Sequence, residues 1–143
     1  MKRVKLQLPD VFPFSTEMKI RVTDMNYGGH VGNDRFLALL QEARMEYLQS
    51  LGYSELDMEG VGLIMRDAVI EFKKELHYGD TIQIDVATSR IDAMGFDLFY
   101  KISIKNANEW ILAGTAKTGM LCYHYALKKL APIPSKALEK LSH

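Results

Sequence analysis

One cysteine, Cys122, in a chain of 143 residues leaves no internal disulfide to form. Cysteine this scarce points to a reducing compartment. Net charge is absent too. Eighteen Lys and Arg balance eighteen Asp and Glu, so the basic excess of a general nucleic-acid binder is missing. No uninterrupted apolar run reaches the roughly 18–20 residues that a membrane helix needs. The best stretch, Val61 to Phe72, carries Arg66, Asp67 and Glu71. At the N-terminus, Lys5, Gln7 and Pro9 interrupt what would have to be the apolar core of a secretory signal. The expectation is a soluble cytoplasmic protein that takes neither nucleic acid nor membrane as a partner. His30, His77, His124 and His143 show no metal-ligand spacing. No G-x-S-x-G elbow or phosphate-binding glycine loop occurs, and Gly60-x-Gly62 lacks a third glycine. No metal and no resident cofactor are therefore expected.

What is present is enough apolar material for a core: 48% of residues are apolar and 25% charged. That fits one globular domain over residues 1–143, with its core at about 16–125 and a tail at 126–143 set off by Pro132 and Pro134. Thr16 to Asp24 alternates, with Met18, Ile20 and Val22 facing one way, and predicts a half-buried strand. Asp24 keeps the apolar phase, so its carboxylate should face inward. After a glycine-rich loop, Asn33 is a suitable N-cap. Phe36, Leu40, Ala43, Tyr47 and Leu51 then recur at helical spacing, with Leu37, Arg44 and Leu48 beside them and Gly52 as the stop. So broad an apolar surface predicts a mostly buried helix. Four strands follow, at Val61–Lys74, Thr81–Arg90, Phe96–Lys105 and Glu109–Tyr123, joined by short turns that imply antiparallel pairing. Ser135 can cap a short last helix. The order is α+β: an antiparallel sheet wrapped around one long central helix.

The densest polar cluster runs from Asp24 to Asn33, Asp-Met-Asn-Tyr-Gly-Gly-His-Val-Gly-Asn. It holds a histidine that can move a proton near neutral pH. Its glycines let a ligand approach the backbone. It ends at a helix N-terminus, whose unpaired N–H groups favour negative charge. The plainer reading is a loop that needs glycine for its turns, with Asp24 and Asn33 as caps.

The pattern Asp24-x-Asn26-x-x-Gly29-His30-Val31-x-Asn33 precedes a helix reading Phe36-Leu37-x-x-Leu40-x-Glu42-Ala43-Arg44. Together they resemble the hotdog-fold thioesterases, which include 4-hydroxybenzoyl-CoA and acyl-ACP thioesterases. The stretch from Ala68 to Asp80 is similar to that family's strand, turn and Gly-Asp, and the likeness covers residues 16 to about 125. The resemblance implies hydrolysis of an acyl-CoA or acyl-carrier-protein thioester, with CoA or phosphopantetheine entering only as part of the substrate. It also implies sites shared between subunits, hence a homodimer or a homotetramer. In the hydroxybenzoyl branch a carboxylate stands two residues after the first Asp. Here that position is Asn26, and an amide is neither nucleophile nor base. In the plant acyl-ACP branch that carboxylate is followed by Asn and His at alternate positions, which are Gly28 and His30 here. The catalytic set carried over is therefore Asp24, Asn26, His30 and Glu42. His30 would activate a water, Asn26 would position it, and Glu42, on the helix, is the second-choice base. Gly28, Gly29, Val31, Gly32 and Asn33 would bind the substrate, and the N–H groups around Val31 to Asn33 would hold the oxyanion. Asp67, Ala68 and Val69 are added as substrate-binding positions, although Asp67 reads first as half of an ion pair with Arg66 or Arg44.

Cys122 and His124 share a strand face and could form a thiol–imidazole pair, but a small buried cysteine is the commoner case. Lys73, Lys74 and Lys117 read as a solvated face before they read as phosphate ligands. Two other functions compete. A hotdog hydratase or dehydratase would use Asp and His as an acid–base pair, but His30 is one residue late and Tyr27 stands where that pattern has proline. A non-catalytic acyl-CoA binder would explain the missing carboxylate at Asn26.

Overall fold

The computed structural model describes residues 3–142; His143 lies outside them. The first strand, β1 (Phe14–Lys19), leads through a short turn into the long helix α1 (Asn33–Ser50). Strands β2 (Gly62–Phe72), β3 (Thr81–Ser89), β4 (Gly95–Asn106) and β5 (Glu109–His124) follow, then a two-residue β6 (Lys129–Leu130) and helix α2 (Ser135–Leu141). All pairings are antiparallel. The sheet order is β1-β3-β4-β5-β2, with β6 against the end of β5. The hairpins form where short turns were expected. Asn106 faces Glu109 across a two-residue turn, for example.

One face of the sheet carries the core. Ile82, Ile84 and Val86 on β3 and Leu98, Tyr100 and Ile102 on β4 are almost fully buried against Phe36, Leu40, Ala43, Tyr47 and Leu48 of α1. Each such large side chain contributes roughly 1.5–3 kcal/mol relative to an exposed one, which fixes the helix register. Arg44 lies on the same buried side. Its guanidinium donates to Glu55 and to the Tyr100 hydroxyl, which in turn meets Thr118 Oγ1 at 2.8 Å.

Several expectations need correction. The first strand ends at Lys19; Val22 is 72% exposed, and Val22–Asp24 is a 3₁₀ turn. Asp24 is buried as expected, but because its carboxylate accepts the Arg21 N–H at 2.8 Å. The cap of α1 is Gly32, with Asn33 already helical, and the cap of α2 is Pro134 rather than Ser135. Gly52 does end α1, at φ +85°. The sheet covers the helix from one side only, so Leu37 and Met45 stay 38% and 49% exposed. The tail is not peripheral: Ala137 and Leu141 of α2 are fully buried in the main core.

The strand β2 departs most from expectation. Its second half should bury Ala68, Ile70 and Phe72. Instead Met65 to Ala68 are exposed and Phe72 is 51% exposed. The cause is position. β2 is the terminal strand beside β5, with a bulge between Met65 and Asp67. On the outer face of the sheet, the Leu6 N–H donates to Glu71 of β2 at 2.7 Å, and the Lys101 ammonium of β4 sits 4.7 Å from the Phe12 ring. The N-terminal arm thus runs across the sheet from one edge to the other.

Cys122 is fully buried, and burial, aided by the charge of Asp92, pushes its thiol from an ordinary 9.0 to about 11. It is a packing residue. Its stabilising contribution is complete below pH 9 and is lost as pH rises towards 11, because the unfolded thiol ionises first. A disulfide reagent at pH 8 should leave the folded protein unmodified and titrate one thiol after unfolding. Full modification of the folded chain within minutes would contradict this placement.

Candidate active site

The loop between β1 and α1 is held by its own backbone and by Asn26. The Asn26 N–H donates to the His30 carbonyl at 2.9 Å, and Met25 and Val31 form an antiparallel bridge. The Asn26 side-chain oxygen accepts the Gly28 N–H at 2.8 Å and approaches that of His30 at 3.4 Å. This is the ordinary way in which an asparagine closes a turn. Gly29, at φ +83°, supplies a conformation that side chains resist. The Val31 N–H then donates to the Leu76 carbonyl at 2.9 Å, anchoring the loop beside the segment after β2.

His30 is oriented by that frame. Its Nδ1 lies 3.1 Å from the Val31 carbonyl oxygen. A carbonyl only accepts, so Nδ1 carries the proton and Nε2 is left with a lone pair. A β-carbon on Gly28 would stand 3.6 Å from Nε2, so the glycine keeps the approach to that atom open. Beside His30 is a cavity of about 320 Å³ lined by Val31, Asn33, Phe36, Phe72, Lys73, Lys74 and Glu75. Phe36 and Phe72 meet edge to face with ring centres 4.9 Å apart, forming its aromatic wall. The helix start borders the same cavity. No side chain caps α1, so its first N–H groups are free to meet a developing negative charge.

The expected site residues divide. His30, Val31 and Asn33 line this cavity, and Asn26, Gly28, Gly29 and Gly32 shape the loop around it. Asp24 and Glu42 line another cavity, of about 460 Å³, with Arg21, Arg35 and Leu39. The structure does not bring them to His30. Asp67, Ala68 and Val69 lie on the exposed middle of β2 and line no part of the His30 cavity within this chain. Asp67 is paired, but chiefly with neither Arg44 nor Arg66. It accepts from Lys117 and from the Gly119 N–H, both at 3.0 Å, with Arg66 at 3.9 Å. The Lys117 hydrogen bond holds its carboxyl below the usual range. Arg44 is committed to Glu55.

Sequence reasoning missed Phe36 and Phe72 as cavity walls, and Glu75 entirely. The available signal was Phe72, a large aromatic at the end of a strand with an exposed acidic and basic run directly after it. Among the described residues, no cluster of His, Cys, Asp or Glu could hold a metal, and no helix is long and apolar enough to cross a membrane.

A long helix laid on one face of an antiparallel α+β sheet, with a histidine loop at its start, is the architecture of the hotdog-type thioester hydrolases. The chain belongs to the thioesterase-like superfamily, whose family model matches residues 20–141. It is 30% identical over 130 residues to a 1,4-dihydroxy-2-naphthoyl-CoA hydrolase of Microcystis aeruginosa, covering 89% of this chain and 88% of that protein. The crystal structure of a 1,4-dihydroxy-2-naphthoyl-CoA thioesterase from Synechocystis superposes with a TM-score of 0.78 at 26% identity, over 91% of this chain and 98% of that one. A structure from Aquifex aeolicus shares the fold at a TM-score of 0.80 and 24% identity, over 91% and 100% of the two chains.

Proposed function

We propose that this thioesterase hydrolyses an aromatic acyl-CoA, with His30 as general base. The observation that carries the reading is that His30, with its Nε2 free, lines a cavity walled by Phe36 and Phe72 at an uncapped helix start. Two aromatic rings at right angles suit a flat aryl group. The 1,4-dihydroxy-2-naphthoyl group named for the Microcystis and Synechocystis proteins is of that kind.

In the reaction, Nε2 takes a proton from water as the oxygen attacks the thioester carbonyl. The carbonyl oxygen becomes an oxyanion, held by the N–H groups at the start of α1. Collapse of the intermediate breaks the carbon–sulfur bond. The departing thiolate takes the proton from the imidazolium, leaving a free acid and a thiol. The Nδ1 hydrogen bond to Val31 steadies the imidazolium. The Asn26 amide Nδ2 has no partner among the described residues and is free to orient the water or the carbonyl. The proton taken from water ends on sulfur, so the step balances.

Thiol release from benzoyl-CoA, 1,4-dihydroxy-2-naphthoyl-CoA, palmitoyl-CoA and crotonyl-CoA tests this. The aromatic thioesters should give the highest kcat/KM. A clear preference for palmitoyl-CoA would overturn the aryl assignment. Loss of the enoyl absorbance of crotonyl-CoA without thiol release would make the chain a hydratase.

We also propose that two copies associate along β2. Among the described residues the outer edge of that strand is unpaired, and Met65 to Ala68 are exposed on it. Unpaired strand edges template further pairing. A second copy there would bring Asp67, Ala68 and Val69 of one chain towards the other's site. Light scattering at micromolar concentration should give a dimer or a dimer of dimers; a monomer would contradict it.

A further inference from the structure

The N-terminal arm is tied to the strand that ends in the cavity wall. Glu71 and Phe72 are neighbours on β2, so their side chains leave opposite faces of the sheet. Phe72 meets Phe36 of α1 in the wall beside His30. Glu71 therefore points to the outer face. There its carboxylate, on a side chain 21% exposed, accepts the Leu6 N–H at 2.7 Å and the Thr115 hydroxyl at 3.4 Å, with the Lys73 ammonium at 4.0 Å. Thr115 stands opposite Glu71 in the register, and Lys101 opposite Thr115, so one row of side chains crosses from β2 to β4. The arm follows that row, held by Leu6 at Glu71 and by Phe12 at Lys101. Leu6, Leu8 and Phe12 are half-buried while Lys5, Gln7 and Val11 are exposed, so the arm lies on the sheet with one side down.

We propose that the arm locks the substrate cavity from outside: the bond from the Leu6 N–H to Glu71 fixes the end of β2, and with it the Phe72 wall that selects the acyl group. Glu71 is a positioning residue and touches no substrate. The proposal rests on the aryl-thioester reading above and adds a specificity element that lies behind the cavity. Among the described residues β2 pairs with β5 alone, and the ends of edge strands open readily. Past Phe72 the ladder stops, and the N–H groups of Lys73 and Lys74 share the one Ala113 carbonyl, at 2.9 and 3.0 Å. At this point the arm supplies a second hold on β2, a charge-assisted hydrogen bond from a backbone donor. The same bond orders the arm, since a chain end is ordered where it is tied down. Lys73 lines the His30 cavity too, and the same carboxylate draws its ammonium back towards the outer face.

The test is thiol release from benzoyl-CoA by the full chain, with KM and kcat separated. Leu6→Pro removes the N–H and keeps the arm; Leu6→Ala keeps the N–H. Leu6→Pro should raise KM about two- to tenfold, the worth of one well-placed aromatic contact. Its kcat should stay within about twofold, because His30 is untouched. Leu6→Ala should differ little from the unaltered chain. Glu71→Ala should match Leu6→Pro, and Glu71→Gln, whose amide oxygen still accepts the Leu6 N–H, should recover most of the loss. In a Phe72→Ala background, Leu6→Pro should add nothing further to KM, because the lock acts through that ring. Equal KM values for Leu6→Pro and Leu6→Ala would overturn the lock. So would an undiminished Leu6→Pro effect on top of Phe72→Ala, which a general loss of stability would give. Amide hydrogen exchange reads the same bond without substrate. The Lys73 and Lys74 amides should exchange faster in Leu6→Pro than in Leu6→Ala, and equal rates would count against the lock. The two readings fail separately. Faster exchange in a chain that turns over no aryl-CoA keeps the lock on β2 and removes the aryl substrate. Equal exchange beside aryl-CoA turnover keeps the hydrolase and removes the lock.

Discussion

His30→Ala should lower kcat on the best aryl-CoA by roughly 10²–10⁴-fold, the usual worth of a positioned general base. The effect should fall mainly on kcat, because the aromatic cavity proposed to hold the substrate remains. Asn26→Ala should cost less, since it removes an orienting amide and loosens a turn but leaves the base. Asn26→Asp should keep the turn, because a carboxylate oxygen can accept the same Gly28 and His30 N–H groups. Glu42→Gln should sit near the unaltered rate, because Glu42 is exposed and lines a different cavity from His30. Steady-state thiol release from the folded variants measures all four. An active His30→Ala beside a dead Glu42→Gln would move the catalytic role to the helix carboxylate.

Glu55→Ala should be the most destabilising change outside the core, and more so than Arg44→Leu. The asymmetry follows from burial. The Arg44 side chain is 7% exposed and that of Glu55 23%. Removing Glu55 strands a buried guanidinium with, among the described residues, only the Tyr100 hydroxyl as acceptor. Breaking a buried pair this way costs up to about 3–5 kcal/mol, and the partial exposure of Glu55 brings the expected loss to about 2–3 kcal/mol. Arg44→Leu leaves behind a carboxylate that can reach water and puts an apolar side chain in an apolar place, so about 1 kcal/mol is expected. For a chain of this size about 1 kcal/mol corresponds to roughly 2–4 °C in Tm. Urea unfolding of both variants decides it. Equal losses, or a greater loss for Arg44→Leu, would show that Arg44 does not depend on Glu55.

Much of this architecture is legible in the chain. Strands β3, β4 and β5 pair as their alternation requires, because both neighbours of each are supplied by the chain and one face is buried throughout. The rule weakens at β2. Ala68, Ile70 and Phe72 alternate like a half-buried strand, but among the described residues β2 is the terminal strand, paired with β5 alone, so alternation does not bury it. Local competition accounts for the error at Val22. The Arg21–Asp24 turn offers the Asp24 carboxylate a backbone donor three residues away, and that contact ends the strand. The Asp67–Lys117 pair joins residues fifty apart in sequence, which no local pattern reveals. The loop from Asp24 to Asn33 was recognisable from its composition, and His30 from its chemistry. What the chain hides is the division of the site. Asp24 and His30 are six residues apart, yet they line different cavities, and half of the aromatic wall, Phe72, comes from a strand end about forty residues after His30.

The most direct test of the mechanism is a single turnover in ¹⁸O-labelled water with enzyme in excess over an aryl-CoA. If His30 delivers water straight to the thioester carbon, every molecule of acid released in that first turnover carries an ¹⁸O atom from the solvent. Acid released without label, with ¹⁸O instead found in a carboxylate of the protein, would mean that a side chain such as Glu42 or Asp24 attacks first and that His30 is not the group that starts the reaction.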